Sequence, residues 1–175
     1  MPVIPTKTTY LEMFRMPTCE RCAPSAHVSV ERWHAPTVEQ YRQLYRGVGE
    51  RLHWVDRLLM PEEQLRAILN DLCVEVYVLS VAGETAGYSE LDRRSDNEIE
   101  LAYFGLFPPF IGQGLGKFFL NWTLQQAWSH KPRRVWVHTC DLDHPAALPT
   151  YLKAGFQVYD ERLIQQLVPI SHGVF

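Results

Sequence analysis

The most informative segment of this chain is Leu101-Ala-Tyr-Phe-Gly-Leu-Phe-Pro-Pro-Phe-Ile-Gly-Gln-Gly-Leu-Gly-Lys117. It has the pattern of a buried strand, a break at two prolines, a glycine-rich turn and the first turn of a helix. Gly112, Gly114 and Gly116 occupy alternate positions, so this backbone carries few side chains. Backbone N–H groups at the start of a helix bind anions, with assistance from the helix dipole. The segment therefore predicts a site for a phosphate-bearing ligand.

The composition is typical of one folded domain. The chain has 175 residues, of which 46% are hydrophobic and 21% charged, and its formal net charge is −3. These values argue against a disordered chain. The chain also lacks the clustered basic excess that nucleic-acid binding requires. We find no bilayer-spanning apolar segment, no signal-peptide pattern and no cysteine spacing typical of a disulfide scaffold. We therefore expect a cytoplasmic protein, monomeric or homodimeric, without a membrane or nucleic-acid partner.

The N-terminal segment shows no steady hydrophobic period and is rich in proline. We predict a loosely packed extension over residues 1–27, followed by one domain over residues 28–175. Cys19-Glu-Arg-Cys22 is half of a zinc site, but only His27 and His34 could complete it, at an unusual spacing. We therefore favour no metal site over this alternative.

From residue 28 onward, strand patterns and helix patterns follow one another. Strands are predicted over residues 28–33, 74–81, 85–91, 98–107, 134–139 and from 156 onward, and helical regions over 38–48, 52–70, 115–129 and 144–153. Thr37 and Gln40 have the spacing of a capping box at the start of the first helix. Pro149 requires the last helix either to begin there or to be kinked there.

Two common phosphate-binding motifs do not fit the glycine turn. A P-loop requires Ser or Thr after its Gly-Lys pair, whereas Gly116-Lys117 is followed by Phe118. A Rossmann fingerprint requires glycine at the position that Lys117 occupies, and it belongs to an early βαβ unit. A nucleotide-dependent enzyme is therefore disfavoured.

The turn resembles the pyrophosphate loop of the GNAT family of N-acetyltransferases, which reads Gln/Arg-x-x-Gly-x-Gly/Ala after a strand. Here the segment is Ile111-Gly-Gln-Gly-Leu-Gly116, in which both glycines match and Ile111 replaces the polar residue. The family's later motif, Asn-x-x-Ala-x-x-x-Tyr-x-x-x-Gly-Phe, appears as His144-Pro-Ala-Ala-Leu-Pro-Thr-Tyr-Leu-Lys-Ala-Gly-Phe156, with His144 in place of Asn. The order of elements over residues 28–165 is also similar to that of the family.

The resemblance implies a fold and an activity. The implied fold is an α/β GNAT-like domain with a mixed, largely antiparallel sheet of six or seven strands, splayed at the coenzyme site and flanked by about four helices. The implied enzyme is an N-acetyltransferase that moves an acetyl group from acetyl-CoA to a primary amine, of a small molecule or a protein, by direct attack in a ternary complex. The alternative is a non-catalytic acyl-CoA-binding module that uses the same pocket.

The resemblance also implies site residues. Tyr151 matches the position that often protonates the coenzyme sulfur, and Glu100 lies at the interval where histone-acetylating members carry their base, with a water chain as the alternative. The residues expected at acetyl-CoA are Leu106, Phe107, Ile111, Gly112, Gln113, Gly114, Leu115, Gly116, Lys117, His144, Ala147 and Tyr151. Those expected at the acceptor are Trp33, His53, Trp54 and His138.

Structural roles stay open for several of these residues. Glu98 shares a strand face with Glu100 and competes with it as the base. A histidine on a strand, such as His138, is often a hydrogen-bonded core residue, and tryptophans often pack in the core. Asp141 and Asp143 are expected to cap the following helix rather than to face the acceptor. The acceptor amine is not identified by the sequence.

Overall fold

The computed structural model describes residues 1–18 and 23–169. Within these residues the strands are β1 (Val3–Met13), β2 (Val28–Trp33), β3 (Val74–Val81), β4 (Glu84–Asp92), β5 (Glu98–Leu106), β6 (Arg134–Cys140) and β7 (Gln157–Leu167). The helices are α1 (Val38–Gly49), α2 (Asp56–Leu59), α3 (Glu62–Asn70), α4 (Leu115–Ser129) and α5 (Ala147–Lys153), with short 3₁₀ turns at Glu50–Leu52 and Pro108–Phe110.

The strands form one sheet in the order β2-β3-β4-β5-β6-β1-β7. All neighbouring pairs are antiparallel except β5 and β6, which are parallel. The predicted mixed, largely antiparallel sheet is therefore confirmed, with seven strands and five flanking helices in the described residues. None of those helices has the length and apolar character needed to cross a membrane.

Successive side chains of a strand point to opposite faces of the sheet. Apolar side chains therefore lie on both faces, and helices cover both. On β3, Val76 and Val78 pack with Tyr41 and Leu44 of α1, whereas Leu79 packs with Phe119 of α4. The sheet thus lies between two hydrophobic layers.

Local sequence signals set the helix starts. The capping box of α1 is confirmed: the Thr37 hydroxyl accepts from the Gln40 N–H at 3.2 Å, and the Gln40 side chain accepts from the Thr37 N–H at 2.9 Å. Pro149 is the third residue of α5. Its missing N–H causes no loss there, because the N–H groups of a first helical turn have no intrahelical acceptor.

The structure corrects the prediction of a loosely packed N-terminal extension. Residues 3–13 are not a loosely packed extension, since they form β1 between β6 and β7, and the sheet begins at Val3 rather than at residue 28. Leu11 is fully buried and pairs with Val137. The prolines and polar threonines of this segment concealed its period of two. The proposed half-site at Cys19 and Cys22 lies outside the described residues.

The parallel pair of strands creates the opening in the sheet. β5 and β6 are paired over only three positions, from Glu98 opposite Arg134 to Glu100 opposite Trp136. In the described part of the chain no further pair joins them, although β5 continues to Leu106 and β6 to Cys140. The strands therefore diverge after Glu100, which leaves one edge of β5 without a strand partner.

Candidate active site

A cavity of about 700 Å³ occupies the opening between β5 and β6. Its walls are β5 from Leu101 to Leu106, the glycine turn, the start of α4 and residues of α5. Of the residues predicted to contact acetyl-CoA, those that line it are Leu106, Ile111, Gly112, Gly114, Gly116, Lys117, His144, Ala147 and Tyr151. We call this space the large cavity.

The glycine turn presents an open helix N-terminus to the large cavity. Gly112 and Gly114 have φ values of 84° and 77°, and a Cβ at either position would meet no atom within 4 Å. Glycine is therefore required there by backbone conformation rather than by space. Gly114 is the N-cap of α4, and no side chain caps this end. The first N–H groups of α4 thus remain available to an anion, and Lys117 adds a positive charge in the first turn.

Three predicted coenzyme contacts do not line the cavity. The Phe107 N–H donates to Ala86 O at 2.7 Å and its carbonyl accepts from Phe110, so the backbone contact predicted for Phe107 is not supported. The Gln113 side chain donates to Pro109 O at 3.1 Å and braces the turn. The Leu115 side chain is buried in the core, which leaves only its backbone N–H at the helix end.

Tyr151 is buried at the wall of the large cavity. Its ring contacts Phe104 and Phe156 edge-on, with centroids 6.3 and 5.8 Å away. Burial, and secondarily the nearby Asp143 carboxylate, raises the pKa of Tyr151 well above its ordinary value. The hydroxyl is therefore protonated at neutral pH and is a possible proton donor.

His144 replaces the family's asparagine at the start of the α5 segment, and its side chain is exposed. Its Nδ1 atom accepts from the Ala146 N–H at 3.1 Å. This is the local contact that a short polar side chain makes with backbone two residues onward. The histidine thus supports the turn while it lines the cavity.

A smaller cavity of about 360 Å³ adjoins the large one. The two cavities share five wall residues, Trp54, Ala102, Tyr103, His138 and Asp143. The predicted base, Glu100, lines the smaller cavity and not the large one. Its competitor, Glu98, lines neither cavity and lies 3.6 Å from Arg134.

Glu100 and His138 form a pair at the junction of the cavities. The Nδ1 atom of His138 lies 3.4 Å from Oε1 of Glu100, and the imidazole stacks beside Trp136 with ring centroids 6.1 Å apart. The His138 side chain is 44% exposed. The alternative of a core histidine is therefore wrong, and an accessible histidine beside a carboxylate is a candidate proton acceptor.

The structure also corrects the predicted role of Asp143 as a helix cap. Asp143 does not cap α5, because its carboxylate accepts instead from Trp54 Nε1 at 3.0 Å, Thr139 Oγ1 at 2.7 Å and the Cys140 N–H at 2.9 Å. These bonds hold the indole of Trp54 against the end of β6. Trp54, which the sequence predicted for the acceptor wall, is thereby fixed at the boundary of both cavities.

Two predicted acceptor residues are not at either cavity. Trp33 lies on the edge strand β2, three strands from β5, and its indole donates to Glu31 at 3.0 Å. His53 has left-handed backbone with φ of 59° at the end of a 3₁₀ turn, and its neighbours Leu52 and Trp54 line the large cavity instead. The structure therefore contradicts acceptor-wall positions for Trp33 and His53.

A match to a family model identifies the family of this chain. The model described as the acetyltransferase (GNAT) family matches residues 36–156, well over half of the chain. The chain belongs to the GNAT family. The resemblance predicted from the two motifs is thus confirmed, and membership of the GNAT family supports acetyl transfer as the general activity.

Three solved structures, two of them described as acetyltransferases, are similar to this chain. An aminoglycoside acetyltransferase from an uncultured soil metagenomic sample has a TM-score of 0.59 at 19% identity, and the match covers 74% of this chain and 88% of that one. A GCN5-related N-acetyltransferase from Kribbella flavida has a TM-score of 0.60 at 15% identity, covering 93% and 58%. A functionally unknown conserved protein from Staphylococcus epidermidis has a TM-score of 0.64 at 14% identity, covering 91% and 60%.

These similarities establish the GNAT fold alone, because the identities are low. The chain spans three fifths or less of the length of the Kribbella and Staphylococcus proteins. Comparison of the sequence with curated proteins gives no significant match.

The GNAT site also contains residues that the sequence did not predict. Arg51 lines the large cavity, and the smaller cavity is lined by Thr8 of β1, by Asp56 and Arg57, by Asp92 and Arg94, and by Ile164 and Gln166 of β7. Their shared signal is weak, since they come from the two ends of the chain, from the region before β3 and from the end of β4 and the turn that follows it. Arg51 had no cue in the sequence either, because it lies far from the glycine turn along the chain.

A buried ion pair supports the wall of the smaller cavity. Arg57 Nη2 lies 2.7 Å from Oε1 of the fully buried Glu90, and the Tyr41 hydroxyl donates to the other carboxylate oxygen at 2.5 Å. The Arg57 guanidinium also lies 5.2 Å from the centroid of the Tyr103 ring. This cluster holds Tyr103, a wall residue of both cavities, from behind.

Proposed function

We propose that this GNAT protein transfers the acetyl group of acetyl-CoA to a primary amine by direct attack in a ternary complex. The observation that carries the proposal is the meeting of two cavities at His138, one of them ending at an uncapped helix N-terminus. One cavity has the features of a coenzyme site and the other of an acceptor site.

The large cavity fits acetyl-CoA by size and by chemistry. Its volume of about 700 Å³ lies within the range of small-molecule sites. The N–H groups at the start of α4, with Lys117 and Arg51, would hold the phosphates. The unpaired edge of β5 after Glu100 would bind an extended amide-containing arm as a neighbouring strand does.

Acetyl-CoA supplies an activated thioester, in which the amine nitrogen forms a bond to the carbonyl carbon as the carbon–sulfur bond breaks. His138, oriented by Glu100, would take the proton that the amine nitrogen loses. Tyr151 would give its proton to the leaving sulfur, and its raised pKa keeps the hydroxyl protonated until that step. A backbone N–H on the free edge of β5 would donate to the carbonyl oxygen as negative charge develops there.

The proposal is tested by calorimetry with acetyl-CoA and by thiol release with a panel of amines. We expect acetyl-CoA binding together with thiol release that depends on one class of amine, and mass spectrometry should find the acetylated amine. Binding of acetyl-CoA without thiol release by any amine class would overturn the proposal in favour of a non-catalytic acyl-CoA-binding module. Failure to bind acetyl-CoA would overturn both.

A further inference from the structure

The smaller cavity has the dimensions of a site for a small molecule. Its volume of about 360 Å³ is near the lower end of the range for small-molecule sites, roughly 300–1,000 Å³. The rings of Tyr45, Trp54 and Tyr103 form part of its wall, with centroids 5.2 to 5.4 Å apart. This aromatic wall suits an alkyl chain or a cation.

The wall of the smaller cavity carries more negative than positive charge. Both arginines in its wall are neutralised by acids, Arg57 by Glu90 at 2.7 Å and Arg94 by Asp92 at 2.7 Å. Burial alone would raise the pKa of Asp92, but the hydrogen bonds from Arg94 outweigh it and lower that pKa, which keeps this acid ionised.

Three further carboxylates face the cavity, on Asp56, Glu100 and Asp143. Among the residues that the structure describes, none of the three forms an ion pair with an arginine or lysine. With His138 neutral, the wall therefore carries an excess negative charge.

The three carboxylates occupy different parts of the cavity. Asp143 lies at the shared boundary, where its oxygens already accept three hydrogen bonds. Glu100 lies beside His138, which is also at the boundary. Asp56 lines only the smaller cavity, and its side chain is exposed at the start of α2. One carboxylate is therefore available away from the coenzyme side.

From this arrangement we infer that the acceptor is a small amine that carries a second cationic group. The inference rests on the proposed function. The reacting nitrogen lies at His138 and Glu100, and the second cation lies at Asp56, with the connecting carbon chain against the aromatic wall. A carboxylate near the ligand favours a cation over a neutral or anionic group at the same position.

Three substrates with the same six-carbon chain and the same reacting amine test the inference. They are 1,6-diaminohexane, hexylamine and 6-aminohexanoic acid, which carry a cation, no charge and an anion at the far end. We expect kcat/KM with the diamine to exceed that with hexylamine by about tenfold, as for one charge-assisted contact, and the acid to be poorest. The preference should weaken as salt is added, because Asp56 is exposed.

Two variants assign the preference to Asp56. Asp56→Asn should reduce the ratio of kcat/KM for diamine over hexylamine to about one, since only one end of the diamine then finds a charge. Glu63→Gln, which removes an exposed carboxylate on α3 that lines neither cavity, should keep the wild-type ratio.

Failure of the inference differs from failure of the proposed function. Equal kcat/KM values for the three substrates, or a preference for hexylamine or the acid, would overturn the inference while acetyl transfer stands. An unchanged ratio in Asp56→Asn would overturn it as well. Acetyl-CoA binding without thiol release by any amine would overturn both.

Discussion

The Nδ1 atom of His138 lies 3.4 Å from the Oε1 atom of Glu100, across the point where β5 and β6 separate. Glu100 belongs to the last paired position of the two strands, and His138 lies two residues beyond its partner Trp136. The divergence of the strands thus places an acid and an imidazole at the border of two cavities. No local feature of either strand requires this contact.

Glu100→Gln and His138→Gln should each lower kcat by about 10- to 100-fold, as expected when a proton acceptor or the group that orients it is lost. The double variant should be hardly slower than the slower single variant, because the two residues act as one unit. Steady-state kinetics as a function of pH measures both effects. Glu98→Gln is the matched control on the same strand and should keep wild-type kcat. Additive losses would show that Glu100 and His138 act separately.

Tyr151→Phe should lower kcat by about 10- to 100-fold through loss of a proton donor. The phenylalanine keeps the ring contacts with Phe104 and Phe156, so the affinity for acetyl-CoA should change less than about twofold. Thiol-release kinetics and calorimetry separate the two quantities. If the variant keeps full kcat up to alkaline pH, Tyr151 is a packing residue and another group protonates the sulfur.

Gly114→Ala should cost about 1–2 kcal/mol of unfolding free energy, since alanine is strained at a φ of 77°. It should also weaken acetyl-CoA binding, because Gly114 is the N-cap of α4, whose first N–H groups we propose as the phosphate site. Gly83→Ala, at a φ of 81° in the β3–β4 turn and away from both cavities, is the matched control. It should lose similar stability in urea unfolding and keep coenzyme affinity. Equal affinity in both variants would contradict the assigned phosphate site.

Alkaline pH should destabilise the fold. Burial raises the pKa of six tyrosines, Tyr41, Tyr45, Tyr77, Tyr88, Tyr103 and Tyr151, and that of Tyr103 reaches about 12. Above about pH 10 the unfolded chain loses these protons while the folded chain retains them, so the unfolding free energy is intact below pH 10 and falls as pH rises further. Urea unfolding midpoints between about pH 8 and 11 measure the fall. Tyrosinate absorbance from more than two of the eight tyrosines before unfolding would contradict it.

The wall of the large cavity was predictable because most of it comes from short local segments. The glycine turn and the motif around Tyr151 are runs of consecutive residues whose backbone conformation follows from their own glycines and helix starts. Nine of the residues predicted for the coenzyme line one cavity for this reason: Leu106, Ile111, Gly112, Gly114, Gly116, Lys117, His144, Ala147 and Tyr151.

The wall of the smaller cavity, the proposed acceptor site, was predicted less well because it is assembled from distant segments. Trp33 was placed at the acceptor by residue type, but β2 lies at the far edge of the sheet. Thr8 and Ile164 were missed, because β1 was not recognised as a strand and its pairing with β7 could not be foreseen. Asp143 has the spacing of a helix cap, yet its carboxylate accepts hydrogen bonds from Trp54 and from the end of β6.

By itself, the sequence determined the order of elements after residue 28, the glycine turn at the start of α4 and membership of the GNAT family, since each depends on residues close together in the chain. Only the tertiary structure decided that β1 lies between β6 and β7, that Glu100 contacts His138, and that Asp56 faces the same cavity. Those relationships depend on which strands become neighbours, and strand neighbours are set by burial of the whole sheet rather than by any local pattern.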